Sequence, residues 1–207
     1  FPETPFKVAD ICQITKEEVD KLTNGEVPDI IIGGPPCQGF SLANKRRNTI
    51  KDDPRNKLFY QFVKFIDWYS PKAFVMENVK GLLSMQNGKV IKTIVEEFTN
   101  AGMGYNVEYK VLRASDYGVP QMRERVIIIG IRKDLNIMPS HPEPVEGVVT
   151  VDDAISDLPI IHSSEGSEEQ AYGKEPQNEY QKLMRKNSEK VYNHVAMRHT
   201  PRLIERF

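Results

Sequence analysis

The run Asp29-Ile30-Ile31-Ile32-Gly33 stops at Gly34-Pro35-Pro36, and no other feature constrains the fold of this chain as much. Short, β-branched and continuously apolar, the run reads as a strand buried on both faces. The two prolines end it, because neither has an N–H to donate and each fixes φ. Such a strand needs neighbours of its own kind, and residues 73–76 and 126–131 supply them. Between these runs the apolar period changes from two to three and four. Leu58, Phe59, Phe62, Val63, Ile66 and Tyr69 predict a helix running from Asp53-Pro54 to Pro71. Val90, Ile91, Ile94, Val95 and Phe98 predict another, with Gly102 placed to end it in a left-handed conformation. Tyr105, Val107, Tyr109 and Val111 alternate as in a strand with one covered face. Strands alternating with helices predict an α/β fold: a mostly parallel sheet covered on both faces by helices, with an antiparallel hairpin at its end.

The flanks are less regular. Residues 6–11 read as a short extended run, and Thr15 with Glu18 forms a capping box for a helix through Leu22. Past Pro139 the character changes, which divides the chain into residues 1–138 and 139–207. Residues 150–158 suit one short helix. Residues 162–181, rich in Ser, Glu, Gln, Gly and Pro, read as loop or disordered chain. No internal repeat is found.

Composition mainly excludes. With 207 residues, 39% hydrophobic and 28% charged, the chain can build one sizeable core. A net charge of −1 and a pI near 6.5 give no electrostatic sign of a nucleic-acid partner. No apolar run has the length of a membrane span, and the first residues lack the pattern of a signal peptide, so a cytoplasmic protein is expected. Cys12 and Cys37 lie in no CxxC or Cys/His cluster, and the four histidines come late and at unsuitable spacing, so no metal is expected.

Three local motifs carry chemistry. Gly33-Gly34-Pro35-Pro36-Cys37-Gln38-Gly39-Phe40-Ser41 follows the first buried strand, at the sheet rim where α/β proteins bind ligands. Prolines before a cysteine and a glycine after it suit a fixed nucleophile at the base of a mobile loop, although a lone cysteine is often a buried structural thiol. Glu77-Asn78-Val79 ends the second strand and places a carboxyl group at the same rim, as a general acid or as a cap on the next turn. In Gln121-Met122-Arg123-Glu124-Arg125, extended spacing puts Gln121, Arg123 and Arg125 on one side. There two guanidiniums can hold an anion, a base edge or Glu77, unless they only protect a solvated strand edge. Arg46 and Arg47 sit in a basic cluster with Lys45.

PPCQGFS, ENV and QMRER, in this order, resemble the conserved blocks of the cytosine-5 DNA methyltransferases over residues 10–132. The resemblance implies a Rossmann-like sheet dependent on S-adenosylmethionine, duplex DNA as partner and no metal. Cys37 then matches the nucleophile that attacks carbon 6 of a flipped-out cytosine. Glu77 matches the residue at ring nitrogen 3, Arg125 an arginine that contacts the base, and Arg123 with Gln121 its support. Asp10 and Ile11 resemble the pair that meets the cofactor's adenine at the end of a strand, and Pro36 and Leu58 positions near its methionine part. Gln38 and Ser41 match the loop that closes over DNA, which adds Arg46 and Arg47 as phosphate contacts. Asn78 reads as structural, holding the turn at Glu77. A bacterial cytoplasm, at the nucleoid, and a restriction endonuclease as candidate cellular partner go with this resemblance. An RNA methyltransferase on the same scaffold and a non-catalytic homologue are the alternatives.

Two departures from the family pattern matter. The Phe-x-Gly-x-Gly turn with its acidic residue for the ribose does not occur, and the chain stops near where target recognition should begin. The sheet is therefore expected to be incomplete at both ends, with residues 139–207 as a partly flexible connection towards a recognition domain. The 207-residue chain alone is expected to fold but not to methylate DNA. Loss of two charge-assisted hydrogen bonds, at ~1.5–3 kcal/mol each, weakens cofactor binding by roughly two to four powers of ten. Calorimetric titration with S-adenosylmethionine and methyl incorporation into mixed-sequence duplex check this; micromolar binding with turnover would contradict it.

Overall fold

The computed structural model describes residues 4–36 and 57–206, apart from the side chain of Lys57. They fall into two compact units, Phe1–Arg113 with Glu124–Glu143, and Ala114–Arg123 with Pro144–Phe207.

The first unit is built on a four-stranded sheet. β1 (Ile30–Gly33), β2 (Ala73–Val79), β3 (Tyr105–Arg113) and β4 (Glu124–Arg132) lie in the order β1-β2-β4-β3. β1 and β2 run parallel, while β4 is antiparallel to both β2 and β3. The expected α/β character, with a parallel pair and a terminal antiparallel hairpin, is present. Among the described residues three α-helices accompany the sheet: α1 (Lys16–Leu22), α2 (Lys57–Tyr69) and α3 (Lys89–Asn100). The predicted start of α2 at Asp53-Pro54 lies outside the described residues.

One face of the sheet carries the core. Phe74, Met76, Val126 and Ile128 meet Phe59, Phe62 and Ile66 of α2 and Ile94 and Phe98 of α3. Phe98 lies at the centre, its ring 4.3 Å from that of Phe74, 5.6 Å from Phe59 and 5.9 Å from Phe62. Aromatic pairs at such separations add specific geometry to the area they bury. Tyr105 is fully buried, donates to the Pro71 carbonyl at 2.8 Å and has its phenol pushed up to about 12 by burial.

The opposite face departs from expectation. Ile30, Ile32, Val75, Ile127, Ile129 and Ile131 share it by register, yet none belongs to the core, and Ile32 is 76% exposed. Both α2 and α3 pack on the first face. An apolar run shows which faces are lined with hydrocarbon, not which element covers them. Part of this second face is covered by irregular chain after β4. Asn106 donates to the Ile137 carbonyl at 3.1 Å, the His141 ring N–H donates to the Ile127 carbonyl at 3.0 Å, and Pro139 is buried.

Other differences are local. Residues 6–10 form no strand. α1 has the predicted capping box but buries none of its residues, so polar contacts dock it. Tyr69 donates to Asp20 at 2.8 Å, Lys64 donates to the Ile14 carbonyl at 3.3 Å, and Lys16 stands over the Tyr69 ring. β2 runs three residues past the predicted 76, through Glu77, Asn78 and Val79, because β4 offers partners that far.

The second unit holds α4 (Val151–Ile155), β5 (Gly166–Gln170), α5 (Glu179–Met184), β6 (Val191–Val195) and α6 (Pro201–Ile204). β5 pairs antiparallel with β6, although composition alone predicts loop for residues 162–181; the ladder supplies what the apolar content does not. The centre of this unit is polar. Asp157, 2% exposed, accepts from Arg185 Nε at 2.7 Å, and the guanidinium stacks on Tyr172. Gln181, equally buried, donates to the Asp153 carbonyl and the Ser156 hydroxyl. Among the described residues, no helix is long and apolar enough to cross a membrane.

A side chain at Gly130 would overlap the Phe74 ring. Gly130→Ala is therefore expected to destabilise the first unit by ~1–3 kcal/mol through overpacking. Urea unfolding followed by tryptophan fluorescence measures it, and a cost below ~0.5 kcal/mol would show that the contact is slack.

Candidate active site

β2 and β4 bring Glu77 and Arg125 together. Glu77 pairs with Ile127 in the ladder and Val79 with Arg125, so Glu77 and Arg125 are diagonal neighbours on the same face. Arg125 Nε lies 2.6 Å from Glu77 Oε1. That nitrogen nevertheless has no aligned hydrogen-bond partner, so charge and proximity hold the pair, not a directed N–H bond. Nη1 of the same guanidinium donates to the Glu124 carbonyl at 2.8 Å, which fixes its plane. The two side chains are 43% and 24% exposed respectively, so the carboxylate remains reachable from outside.

Glu124 serves the opposite face. Its carboxylate accepts from Lys80 at 2.8 Å and Arg113 at 3.3 Å. The Lys80 bond first, then Arg113, holds this carboxyl below the usual range. One dipeptide in β4 thus ties the rim of the sheet together on one side and meets Glu77 on the other.

The backbone leaving β1 lies directly against Glu77. A Cβ on Gly34 would stand 3.2 Å from Glu77 Oε2, so a side chain there would press on the carboxylate. Asn78, 5% exposed, donates from Nδ2 to the Pro35 carbonyl at 2.9 Å and accepts at Oδ1 from Val79 N–H at 3.0 Å. The turn expected at Glu77 does not exist: both residues stand in β2, and Asn78 reaches across to β1's exit.

Gly33 to Pro36 also line an apolar cavity of about 390 Å³, with Ile11, Ile31, Ile32, Leu58, Phe62 and Phe65. This volume is in the range that takes cofactor-sized molecules. Ile11, Pro36 and Leu58, three of the four residues expected at a cofactor, are brought together here. Asp10, the fourth, stands in a turn instead of at a strand end; its Oδ1 accepts from Cys12 N–H at 2.9 Å.

Cys37, Gln38, Ser41, Arg46 and Arg47 lie outside the described residues. Gln121 and Arg123 belong to the second unit, are exposed and precede β4, so the expected extended alternation starts only at Glu124. The Arg123 carbonyl accepts from Ala114 N–H and the Gln121 N–H bonds the Val119 carbonyl, a folded path that Pro120 helps to set.

The C-5 cytosine-specific DNA methylase model matches residues 2–205. This chain belongs to that family. It is 47% identical, over 94% of its length, to the type II methyltransferase M.DdeI of Desulfomicrobium norvegicum, and covers 49% of that protein. It is 37% identical over its whole length to M1.HphI of Haemophilus parahaemolyticus, again covering 49%. Among solved structures, an E. coli prophage chain assigned as a DNA modification methyltransferase superposes with a TM-score of 0.74 at 25% identity. That match covers 96% of this chain and 60% of the other. The chain therefore spans about half the length of the curated relatives it matches.

Sequence reasoning missed how closely Gly34 approaches the Glu77 carboxylate, and it gave Asn78 the turn at Glu77 where the structure gives it the Pro35 carbonyl. Gly34 was available as the second glycine of a pair before the prolines. Periodicity cannot reveal which neighbour in another strand such a residue meets. Arg125→Ala tests what the ion pair is for. A pair this exposed contributes under ~1 kcal/mol to stability, so the melting temperature should fall by only a few degrees. A loss above ~2 kcal/mol in chemical denaturation would make the pair a structural one.

Proposed function

We propose that this chain provides the catalytic centre of a cytosine-5 methyltransferase acting on duplex DNA, with Cys37 as nucleophile. Family membership supports the activity, and one geometric observation supports the site. Gly34 lines the apolar cavity, and a Cβ added to it would stand 3.2 Å from Glu77 Oε2, so a single residue of backbone separates the two. A methyl donor in the cavity and a base beside Glu77 would meet across that wall.

The residues present suit S-adenosylmethionine in part. Ile11, Leu58, Phe62 and Phe65 offer apolar surface for the adenine and for the methylene groups beside the sulfonium. Asp10, whose Oδ1 accepts from Cys12 N–H, would offer Oδ2 to an amine. When bound, the cofactor supplies the methyl group for carbon 5 of the cytosine. The chain's own groups prepare that carbon. The Cys37 thiolate adds to carbon 6 of a base flipped out of the stack, because the atom is unreachable within the duplex. Glu77 engages ring nitrogen 3 and balances the charge that this addition creates. Arg125 keeps the carboxylate aimed, and loss of the proton from carbon 5 then expels the thiolate. Arg123 with Gln121 supports this block; Gln38, Ser41, Arg46 and Arg47 contact the DNA backbone. In a cell with type II relatives' habits, a restriction endonuclease is the matching partner.

In the complete enzyme, Cys37→Ser should abolish methyl transfer, since an alcohol of much higher pKa cannot replace the thiolate. Wild type should form a covalent adduct on duplex containing 5-fluorocytosine, and an adduct persisting in Cys37→Ser would sink the assignment. Parallel assays on duplex DNA and transfer RNA decide the substrate class. Glu77→Gln should reduce kcat more than DNA binding. Turnover within about twofold of wild type, only ~0.4 kcal/mol of barrier, would remove Glu77 from the acid role.

A further inference from the structure

α2 has two tasks beside the apolar cavity. Leu58, Phe62 and Phe65, one stripe of the helix at spacings of four and three, line it together with the end of β1 and with Ile11. Tyr69 continues that stripe, while Gln61, Lys64 and Trp68 form the stripe beside it. Lys64 and Tyr69 each take hold of the chain that carries Ile11. From Ile11 the chain passes through a turn, closed by the Gln13 N–H on the Asp10 carbonyl at 2.9 Å, and enters α1. Lys64 donates to the Ile14 carbonyl at 3.3 Å, with its ammonium also bonded to Gln61 at 3.2 Å and 4.4 Å over the Trp68 ring. Tyr69 is buried and donates to Asp20 at 2.8 Å. Asp20 accepts from Lys16 as well, at 2.8 Å, and that ammonium stands 4.9 Å over the Tyr69 ring.

α1 depends on such anchors. Seven residues are too few to hold a helix unaided, and α1 buries none of its own, with Val19 and Leu22 only half-buried. A buried phenol needs an acceptor as much as the helix needs an anchor, and Asp20 meets both demands. Burial first, and Asp20 second, push that phenol up to about 12, so it remains a donor.

We infer that Lys64 and Tyr69 are positioning residues of the cavity: by tethering Ile14 and Asp20 to α2, they keep Ile11 in the wall that Leu58, Phe62 and Phe65 begin. One helix thus lines the cavity with one stripe and fastens the rest of its wall with polar groups at its edge. Only three residues separate Ile11 from the first tether, so the anchor at Ile14 leaves the wall little freedom. A molecule that rests on both Ile11 and α2 then meets chain that is already ordered. With the tethers cut, the segment must be ordered on binding, and the apparent Kd rises as the docked fraction falls. The inference rests on the reading of the cavity as a place for S-adenosylmethionine for its ligand, but not for its tethers.

Two measurements on the complete enzyme test it: amide hydrogen exchange without DNA or cofactor, and calorimetric titration with S-adenosylmethionine. Wild type is compared with Tyr69→Phe, Lys64→Met, the double variant and Lys64→Arg, and α3 serves as the internal reference for exchange. Each single loss should speed exchange across residues 11–23 by ~10-fold or more, the equivalent of one hydrogen bond to a charged group, while α3 stays within twofold. The double variant should also raise the Kd for S-adenosylmethionine by ~5-fold or more. Lys64→Arg can still donate to the Ile14 carbonyl and should stay within about threefold of wild type in both measurements. Exchange across residues 11–23 within twofold of wild type in the double variant overturns the tethers. Faster exchange with a Kd that stays within twofold overturns their bearing on the cavity. Equal acceleration in α3 would make Lys64 and Tyr69 determinants of the whole fold and overturns the inference too. If wild type itself does not bind S-adenosylmethionine, the reading of the cavity's ligand fails, and the exchange comparison still decides the tethers.

Discussion

Phe74 can lie where it does only because Gly130, its cross-strand partner, has no side chain. The ring fills the space above Gly130 and carries Phe98 of α3 and Phe62 of α2 on its other sides. This one fit fixes the register of β2 on β4. A slip by one residue would turn every side chain of β2 to the other face. Met76 and Asn78 would leave the core, and Glu77 would enter it opposite the wrong residues. The Glu77–Arg125 pair, diagonal across the ladder, is thus a consequence of packing at the far end of the same two strands.

The sheet divides its labour by face. On the covered face, alternate residues of β2 and β4 build the aromatic core and end at Asn78. On the other, the same strands present Ile127, Ile129 and Val75, with Glu77 and Arg125 towards the rim. Rigidity comes from one face and reactive groups from the other, through backbone that both share. A half-exposed ion pair adds little to stability. Its position gains precision from residues with which it has no contact.

What was legible in the sequence follows from this division. The strands and helices could be read because their apolar periods belong to the backbone itself: Ile30 to Ile32, Phe59 with Phe62 and Ile66, Val107 with Val111. Glu77 and Arg125 could be placed at one rim because strand ends in an α/β sheet gather there. That no helix packs on the second face among the described residues was not legible, since Ile127 looks the same covered or uncovered. Nor was the length of β2, which β4 decides by pairing as far as Arg125. Residues 162–181 read as loop because the centre of the second unit is polar; Asp157 with Arg185, and Gln181 with the Asp153 carbonyl, leave no trace in an apolar pattern. Buried polar groups of this kind demand complete satisfaction and so specify one arrangement.

The four residues after Ile32 show how densely such constraints can be written. Gly33 is bare because a Cβ would stand 2.7 Å from the Phe62 ring, a demand of the core. At Gly34 a Cβ would stand 3.2 Å from Glu77 Oε2, so the next step along the chain runs close beside the carboxylate. Pro35 and Pro36 end the ladder by lacking N–H groups, which leaves the Pro35 carbonyl to the Asn78 amide. Any residue with an N–H at these positions could extend the pairing with β2 and carry the chain further along the sheet. Two prolines forbid that continuation, and the backbone must turn out at the rim where the carboxylate stands. Core, site and chain direction are therefore set by four consecutive side chains, two of them absent and two closed onto their own backbone.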